Sequence, residues 1–228
     1  MNAKQWWISG VGVIIVALAL IQLSTSTTNS PVLEPVATTT PESVEEQNPE
    51  TPVVEVPIPK PFLVTIETGD TIASWSIEGY LNDGGEKEAV ARKEIIALKN
   101  RLGGDDDYQI NLSIAQKYEY LGEGRLAYEH LSKAIALDTS STSGTAWHNM
   151  GMLMEKLGAY HTARVAHTLA VANQPNIPSF HISRLEFMIY RFTKDTAGVE
   201  EVFKDTTAIL GAEDPMLVEL RARWEALK

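Results

Sequence analysis

The hydrophobic pattern begins with one uncharged run of 18 residues, 6–23, which opens on two tryptophans and contains mostly aliphatic side chains. As a helix this run would be roughly 27 Å long, close to the hydrocarbon thickness of about 30 Å in a bilayer. Lys4 precedes it, and the next basic residue is Lys60. Because basic residues favour the cytoplasmic side of a membrane, the pattern predicts a transmembrane signal-anchor over 6–23 that follows a cytoplasmic N-terminus.

A cleaved signal peptide is the alternative for the same run. Ala17 and Ala19 flank Leu18 in the small-x-small form that signal peptidase cleaves. The apolar run continues beyond that point to Leu23, which favours an uncleaved anchor. Both interpretations place the rest of the chain outside the cytoplasm.

Residues 24–61 are rich in Ser, Thr, Pro, Glu and Val and contain no aromatic side chain. Such a composition buries too little apolar surface to offset the entropy of ordering, so it predicts a disordered linker. Two strand-like segments follow, 62–66 and 71–75, with a turn sequence between them. Because a lone hairpin is marginal in water, 62–85 is expected to be an extended arm packed on the helices that follow.

Helical spacing of apolar residues begins after the arm. Ala91, Ile95, Leu98 and Leu102 fall on one face and predict a helix over 86–102. Gly103 and Gly104 end this helix, and three aspartates at 105–107 are expected to cap the next one and to complement its dipole.

Two stretches of the remaining chain match each other at an offset of 36 residues. A Leu-Gly pair occurs in both, at Leu121-Gly122 and Leu157-Gly158, and alanines recur at matching positions such as Ala127 and Ala163. Small residues let two helices approach closely, and glycine suits the turn between them. The match predicts two helical hairpins of the same construction.

The carboxyl-terminal part continues the helical pattern with a weaker signature. A third unit begins at Pro178, a residue suited to the first position of a helix, but its second helix, 197–210, lacks the small residues. Asp214 is expected to cap a last helix that carries one apolar stripe: Leu217, Leu220 and Trp224. This helix would cover the open end of the stack.

The second unit resembles a tetratricopeptide (TPR) repeat in its order of Trp147, Gly151, Gly158, Ala163 and Pro175. The resemblance implies an all-α, TPR-like helical-hairpin solenoid of about three repeats with flanking helices. The predicted segments are a cytoplasmic N-terminus 1–5, a signal-anchor 6–23, a linker 24–61, an arm 62–85, a helix and loop 86–107, repeats 108–141, 144–177 and 178–213, and a capping helix 214–228.

A TPR resemblance also implies a concave groove, lined by the first helix of each repeat, that holds a peptide or an extended partner segment. The groove-facing positions expected in this sequence are Gln109, Ser113, Gln116, Tyr120, His148, Asn149, Met152, Lys156, Ser183, Glu186 and Tyr190. The Lys/Asn/Arg set with which some family members hold a carboxyl terminus is not reproduced, since only Asn149 and Lys156 correspond to it.

Net charge and cysteine content narrow the choice of partners. The formal net charge is -11, and the chain has no cluster of basic residues that could displace the counterions of a nucleic acid. A nucleic acid is therefore not expected as a partner. The chain has no cysteine, which excludes disulfides and thiolate metal sites. The expected partners are therefore protein or peptide segments, together with the lipid bilayer through 6–23.

Sequence motifs for catalysis or cofactor binding are weak. Gly122, Gly124 and Ala127 fit a dinucleotide fingerprint, but they follow a predicted helix rather than a strand. His161 and His167 lie six positions apart, which is not one face of a helix. No catalytic residue, cofactor or metal is predicted, and the protein is not expected to be an enzyme.

Together these patterns predict a single-pass plasma-membrane protein whose C-terminal domain lies outside the cytoplasm and binds protein segments as a scaffold or assembly factor. One alternative is a secreted or envelope-associated structural protein that self-associates through the groove or through an exposed Trp75. An enzyme with an unrecognised site is a third, less favoured alternative.

Overall fold

The computed structural model describes residues 62–138 and 144–228. The predicted cytoplasmic N-terminus, signal-anchor and linker lie outside these residues, as do the last residues of the first predicted repeat. The eight helices of the described residues are α1 (Glu86–Lys99), α2 (Asp107–Tyr120), α3 (Gly124–Leu137), α4 (Gly144–Lys156), α5 (Tyr160–Asn173), α6 (Pro178–Arg191), α7 (Thr196–Leu210) and α8 (Pro215–Leu227). No strand occurs among them, which confirms the all-α prediction for the described part. None of these helices has the length and apolarity needed to cross a membrane.

The helices pack as consecutive antiparallel pairs, α2 with α3, α4 with α5 and α6 with α7. Each pair also packs on the next through α3 with α4 and α5 with α6, while α1 lies on α2 and α8 lies on α6 and α7. One apolar core runs through the whole set, with fully buried side chains such as Ile114, Leu153, Leu185 and Phe203 contributed by successive pairs.

The two predicted Leu-Gly turns have the same backbone geometry. Gly122 and Gly158 have φ of 79° and 76°, the left-handed region that glycine adopts without steric cost. The amide of the residue after each glycine donates to the carbonyl five positions earlier, at 2.9 Å in both turns, while each glycine amide donates to the carbonyl three positions earlier. This is the Schellman arrangement that ends a helix, and it explains why the pair recurs at the same offset.

Helix α1 and the start of α2 differ from the sequence predictions. Helix α1 ends at Lys99 rather than at 102, because the amides of Arg101 and Leu102 bond three residues back in a tighter turn. The aspartates do not cap α2 as predicted, since its N-cap residue Asp106 makes no side-chain hydrogen bond. Instead, the Asp107 carboxylate accepts from the amides of the preceding diglycine, at 2.8 and 3.1 Å, and so closes the loop before the helix.

The carboxyl-terminal helices agree with their predicted boundaries to within one residue. Asp214 caps α8 as predicted by accepting from the amides of Met216 and Leu217, at 2.9 and 3.2 Å. The predicted apolar stripe of α8 is buried along its length. Helix α7 lacks the small-residue signature of the other second helices but still pairs with α6, and its buried face includes Val199 and Phe203.

The arm, residues 62–85, does not form the two predicted strand-like segments. Its single ladder contact is an isolated antiparallel bridge between Ser76 and Glu123. The arm instead runs over the second helices, where Val64 is buried between α3 side chains and its amide donates to the Ser132 hydroxyl at 3.1 Å. Trp75, expected to be exposed, is partly buried because its ring lies 5.1 Å from that of Tyr128.

The arm then crosses to the second hairpin, where Asp70 caps the start of α5 from a distant part of the chain. The Asp70 carboxylate accepts from the His161 amide at 3.1 Å, the Thr162 amide at 2.7 Å and the Thr162 hydroxyl at 2.8 Å. Partial burial raises the pKa of Asp70, but these hydrogen bonds outweigh burial and leave its pKa below the ordinary value. The residue before α5, Ala159, has no side chain that could cap it.

Replacing Asp70 by alanine is expected to reduce the unfolding free energy by about 2 kcal/mol at neutral pH, since it leaves two helix-terminal amides without their acceptor. Because folding lowers the pKa of Asp70, this contribution is present above the ordinary value of 3.8 and is lost as the pH falls through the folded pKa. Urea unfolding of the two proteins at neutral and acidic pH measures the difference. Asp105→Ala, at an exposed aspartate, is the matched control, and an equal loss there would contradict the capping role.

Candidate functional site: the exposed face of the first helices

The predicted groove residues all lie on the first helix of a hairpin, and none of them is buried. We call this set the first-helix face: Gln109, Ser113, Gln116 and Tyr120 on α2; His148, Asn149, Met152 and Lys156 on α4; and Ser183, Glu186 and Tyr190 on α6. Met152 and Tyr190 keep 38% and 48% of their surface exposed. Apolar and aromatic side chains of this kind supply most of the contact area when a partner binds.

Polar contacts hold the first helices side by side. Lys156 on α4 forms an ion pair with Glu119 on α2. At the carboxyl-terminal end of the stack, the guanidinium of Arg223 in α8 donates to the Tyr190 hydroxyl of α6 at 3.2 Å. These contacts fix the spacing of the first-helix face, and they leave the ring of Tyr190 and the thioether of Met152 available.

At the α2 end of the face, Tyr120 forms an aromatic pair with the arm. The ring centroids of Tyr120 and Tyr80 are 4.5 Å apart. Partial burial of the Tyr80 hydroxyl and its hydrogen bond to Tyr120 raise the pKa of Tyr80 to about 12, so Tyr80 is uncharged at neutral pH. Ser113 offers less to a partner than predicted, because its hydroxyl donates to the Gln109 carbonyl of its own helix at 2.9 Å.

His148 belongs as much to helix packing as to the first-helix face. Its ring stacks on Phe180 of α6 at a centroid distance of 4.8 Å and lies 5.9 Å from the ring of His167 on α5. Its Nδ1 is buried without a hydrogen-bond partner. Burial, and then the charge of His167, lower the pKa of His148 to about 4, so the side chain is neutral at physiological pH.

Carboxylates dominate the part of the face that lies between α4, α6 and α8. The Glu155 carboxylate accepts a hydrogen bond from Nε2 of His167 at 2.9 Å, in the tautomer that carries its proton on Nε2. Glu186 is half-buried, and burial raises its pKa. The charge of Arg223 opposes this rise, whereas the charges of Glu155 and Glu219 add to it. The environment of Glu186 therefore disfavours the ionised form of this carboxylate.

Sequence reasoning missed the contribution of α1 to this face. A cavity of about 380 Å³ between α1 and the end of α2 is lined by Val90, Ala91, Leu81 and Tyr120, among others. A second, of about 320 Å³, continues between the same helices past Ser113. The sequence offered one signal for this contribution, the apolar Val90. It lies outside the apolar stripe that predicted α1, and the structure exposes it.

Most of the arm lies on the second helices α3 and α5, and its last residues contact the end of α2. Its partners on α3 and α5, Tyr128, Ser132 and Thr162, are buried side chains whose hydroxyls bond the arm. Within residues 62–138 and 144–228, no three His, Asp or Glu side chains are grouped so that they could hold a metal ion. What the exposed face can offer is contact area, hydrogen bonds and negative charge.

No protein-family model matches the chain, and no curated protein matches it either.

Proposed function

We propose that this chain is a TPR-like binding protein without catalytic activity, which holds peptide or protein segments along the first-helix face and acts as a scaffold or assembly factor. The observation that carries the proposal is the difference between the two surfaces of the stack. The second helices α3 and α5 are occupied by the protein's own arm, whereas the first-helix face is open at Met152 and Tyr190 and is contacted by the arm only at Tyr120. A partner of a TPR-like solenoid would lie in the groove that these first helices line.

Three features of the hairpins support the TPR-like assignment. The glycine turns at Gly122 and Gly158 share one geometry, and Gly151 on α4 allows a close approach to His167 on α5. The last helix buries its apolar stripe on the end of the stack, as a capping helix does. From the uncharged run at 6–23 and the linker after it, we further propose that the domain is displayed outside the cytoplasm on a membrane.

Replacing Tyr120, Asn149 and Met152 together by alanine is expected to abolish most peptide binding by the full-length protein. The triple change removes contact area and an amide from the α2 and α4 parts of the first-helix face. Purified protein in detergent, applied to an array of random-sequence short peptides, measures the number and intensity of bound spots. A triple change at exposed second-helix positions, Lys133, Val165 and Glu201 to alanine, is the matched control. Equal binding by all three proteins would exclude the first-helix face as the site.

Membrane display has an independent test. Full-length protein is expected in the membrane fraction, and an external protease is expected to release a soluble fragment that begins near residue 62. Recovery of the full-length chain in the cytosolic fraction would contradict this location.

A further inference from the structure

Glu186 is the least compensated charge on the first-helix face. It lies on α6, and its carboxylate has no hydrogen bond or ion pair with any other residue that the structure describes. A half-buried carboxylate without a partner is unfavourable, because the protein supplies less solvation than water does. A cation bound beside Glu186 would offset this cost.

The neighbouring charges compensate Glu186 only in part. Arg223 is the cation that acts on it, but its guanidinium is bonded to the Tyr190 hydroxyl and to the Glu219 carboxylate. Glu155 and Glu219 are also near and carry the same sign as Glu186. Lys156, one position after Glu155, is paired with Glu119. The α4–α6–α8 part of the face therefore presents excess negative charge.

Apolar and aromatic surface lies next to this charge. Met152 precedes Glu155 by about one turn of α4, and Tyr190 follows Glu186 by one turn of α6, so both lie on the same helix faces as the carboxylates. Both side chains are exposed. A lysine or arginine side chain has the matching chemistry, since its aliphatic stem packs on apolar surface while its charged end reaches a carboxylate.

We propose that Glu186 receives a lysine or arginine side chain of the bound segment, whose stem and apolar neighbours pack on Met152 and Tyr190. This inference rests on the proposed function and names the chemistry of the partner: a cationic segment of another protein. Charge complementarity selects it over an acidic segment, which would meet three carboxylates.

The test uses three peptide libraries that are identical except at the central position, which is Lys, Gln or Glu. Full-length wild-type protein in detergent is expected to bind the Lys library about fivefold more tightly than the Gln library, and the Glu library more weakly still. Glu186→Gln is expected to bring the Lys and Gln libraries to equal affinity. Glu201→Gln makes the same charge change at an exposed glutamate of α7 and is expected to keep the wild-type preference. Thermal unfolding verifies that both variants fold.

The outcomes separate this inference from the proposed function. If the Lys and Gln libraries bind wild-type protein equally, and binding still requires Tyr120, Asn149 and Met152, the function stands and the role of Glu186 is wrong. If Glu186→Gln and Glu201→Gln weaken Lys binding to the same extent, the preference comes from net charge alone and the inference is also wrong. If no library binds, the proposed function fails and the inference fails with it.

Discussion

Replacing Gly151 by valine is expected to lower the unfolding free energy by about 3 kcal/mol. A Cβ at this position would lie 2.8 Å from Cε1 of His167 and 2.9 Å from its Cδ2 and Nδ1, distances at which something must move. The imidazole has little freedom to do so, because it is fully buried, holds Glu155 through Nε2 and lies 5.1 Å from the Phe187 ring. Valine also has a better helix propensity than glycine, but that gain is only a few tenths of a kcal/mol.

Urea unfolding of Gly151→Val beside Gly104→Val measures this effect. Gly104 is a fitting control because a Cβ there meets nothing within 4 Å. Adding His167→Ala to Gly151→Val is expected to recover part of the loss, since it removes the ring that the valine strikes. Strictly additive effects of the two changes would mean that the close approach of α4 and α5 at this point is not what requires glycine.

Acidification is expected to destabilise the protein through His148 by about 3 kcal/mol between pH 6.5 and pH 4. Folding lowers the pKa of this side chain from 6.5 to about 4. In that window the unfolded chain therefore binds a proton that the folded protein does not, and stability falls as the pH falls. Below about pH 4 both states are protonated and the loss from this residue is complete.

His148→Phe isolates this contribution. Phenylalanine keeps the stacking on Phe180 and does not titrate, and it forfeits no bond at Nδ1, which has no partner. Wild type and variant are expected to have similar unfolding free energies at neutral pH and to diverge by about 3 kcal/mol near pH 4, with the variant more stable. His130, whose pKa burial also lowers to about 4, will leave some acid sensitivity in both proteins. Parallel loss of stability in the two proteins would contradict the assignment to His148.

Local signals predicted the helical framework well. The Leu-Gly pairs encode their turns directly, because a left-handed residue and its two hydrogen bonds are properties of six consecutive residues. Asp214 followed by Pro215 predicted the start of α8 for the same reason. The residues of the first-helix face, which the TPR resemblance implied, are all at least partly exposed.

The path of the arm could not be predicted, because its partners are far along the chain. Val64 bonds Ser132, 68 positions away, and Asp70 bonds Thr162, 92 positions away. The β-branched and apolar residues of 62–66 and 71–75 predict strands, but the same residues serve a chain that lies on helices with one side inward. At 105–107 the sequence offers three carboxylates for one helix start, and composition does not show which of them bonds the backbone.

The separation between Asp70 and α5 has a consequence for how the protein folds. Repeat proteins built only from neighbouring contacts can gain or lose their units one at a time. Here the arm, near the start of the described residues, forms hydrogen bonds with α5. A chain emerging from the ribosome therefore cannot complete the packing of its arm until α5 has been synthesised. Such long-range closure slows folding and couples the first two hairpins into one cooperative unit, whereas α6, α7 and α8, which the arm does not bond, can fray separately.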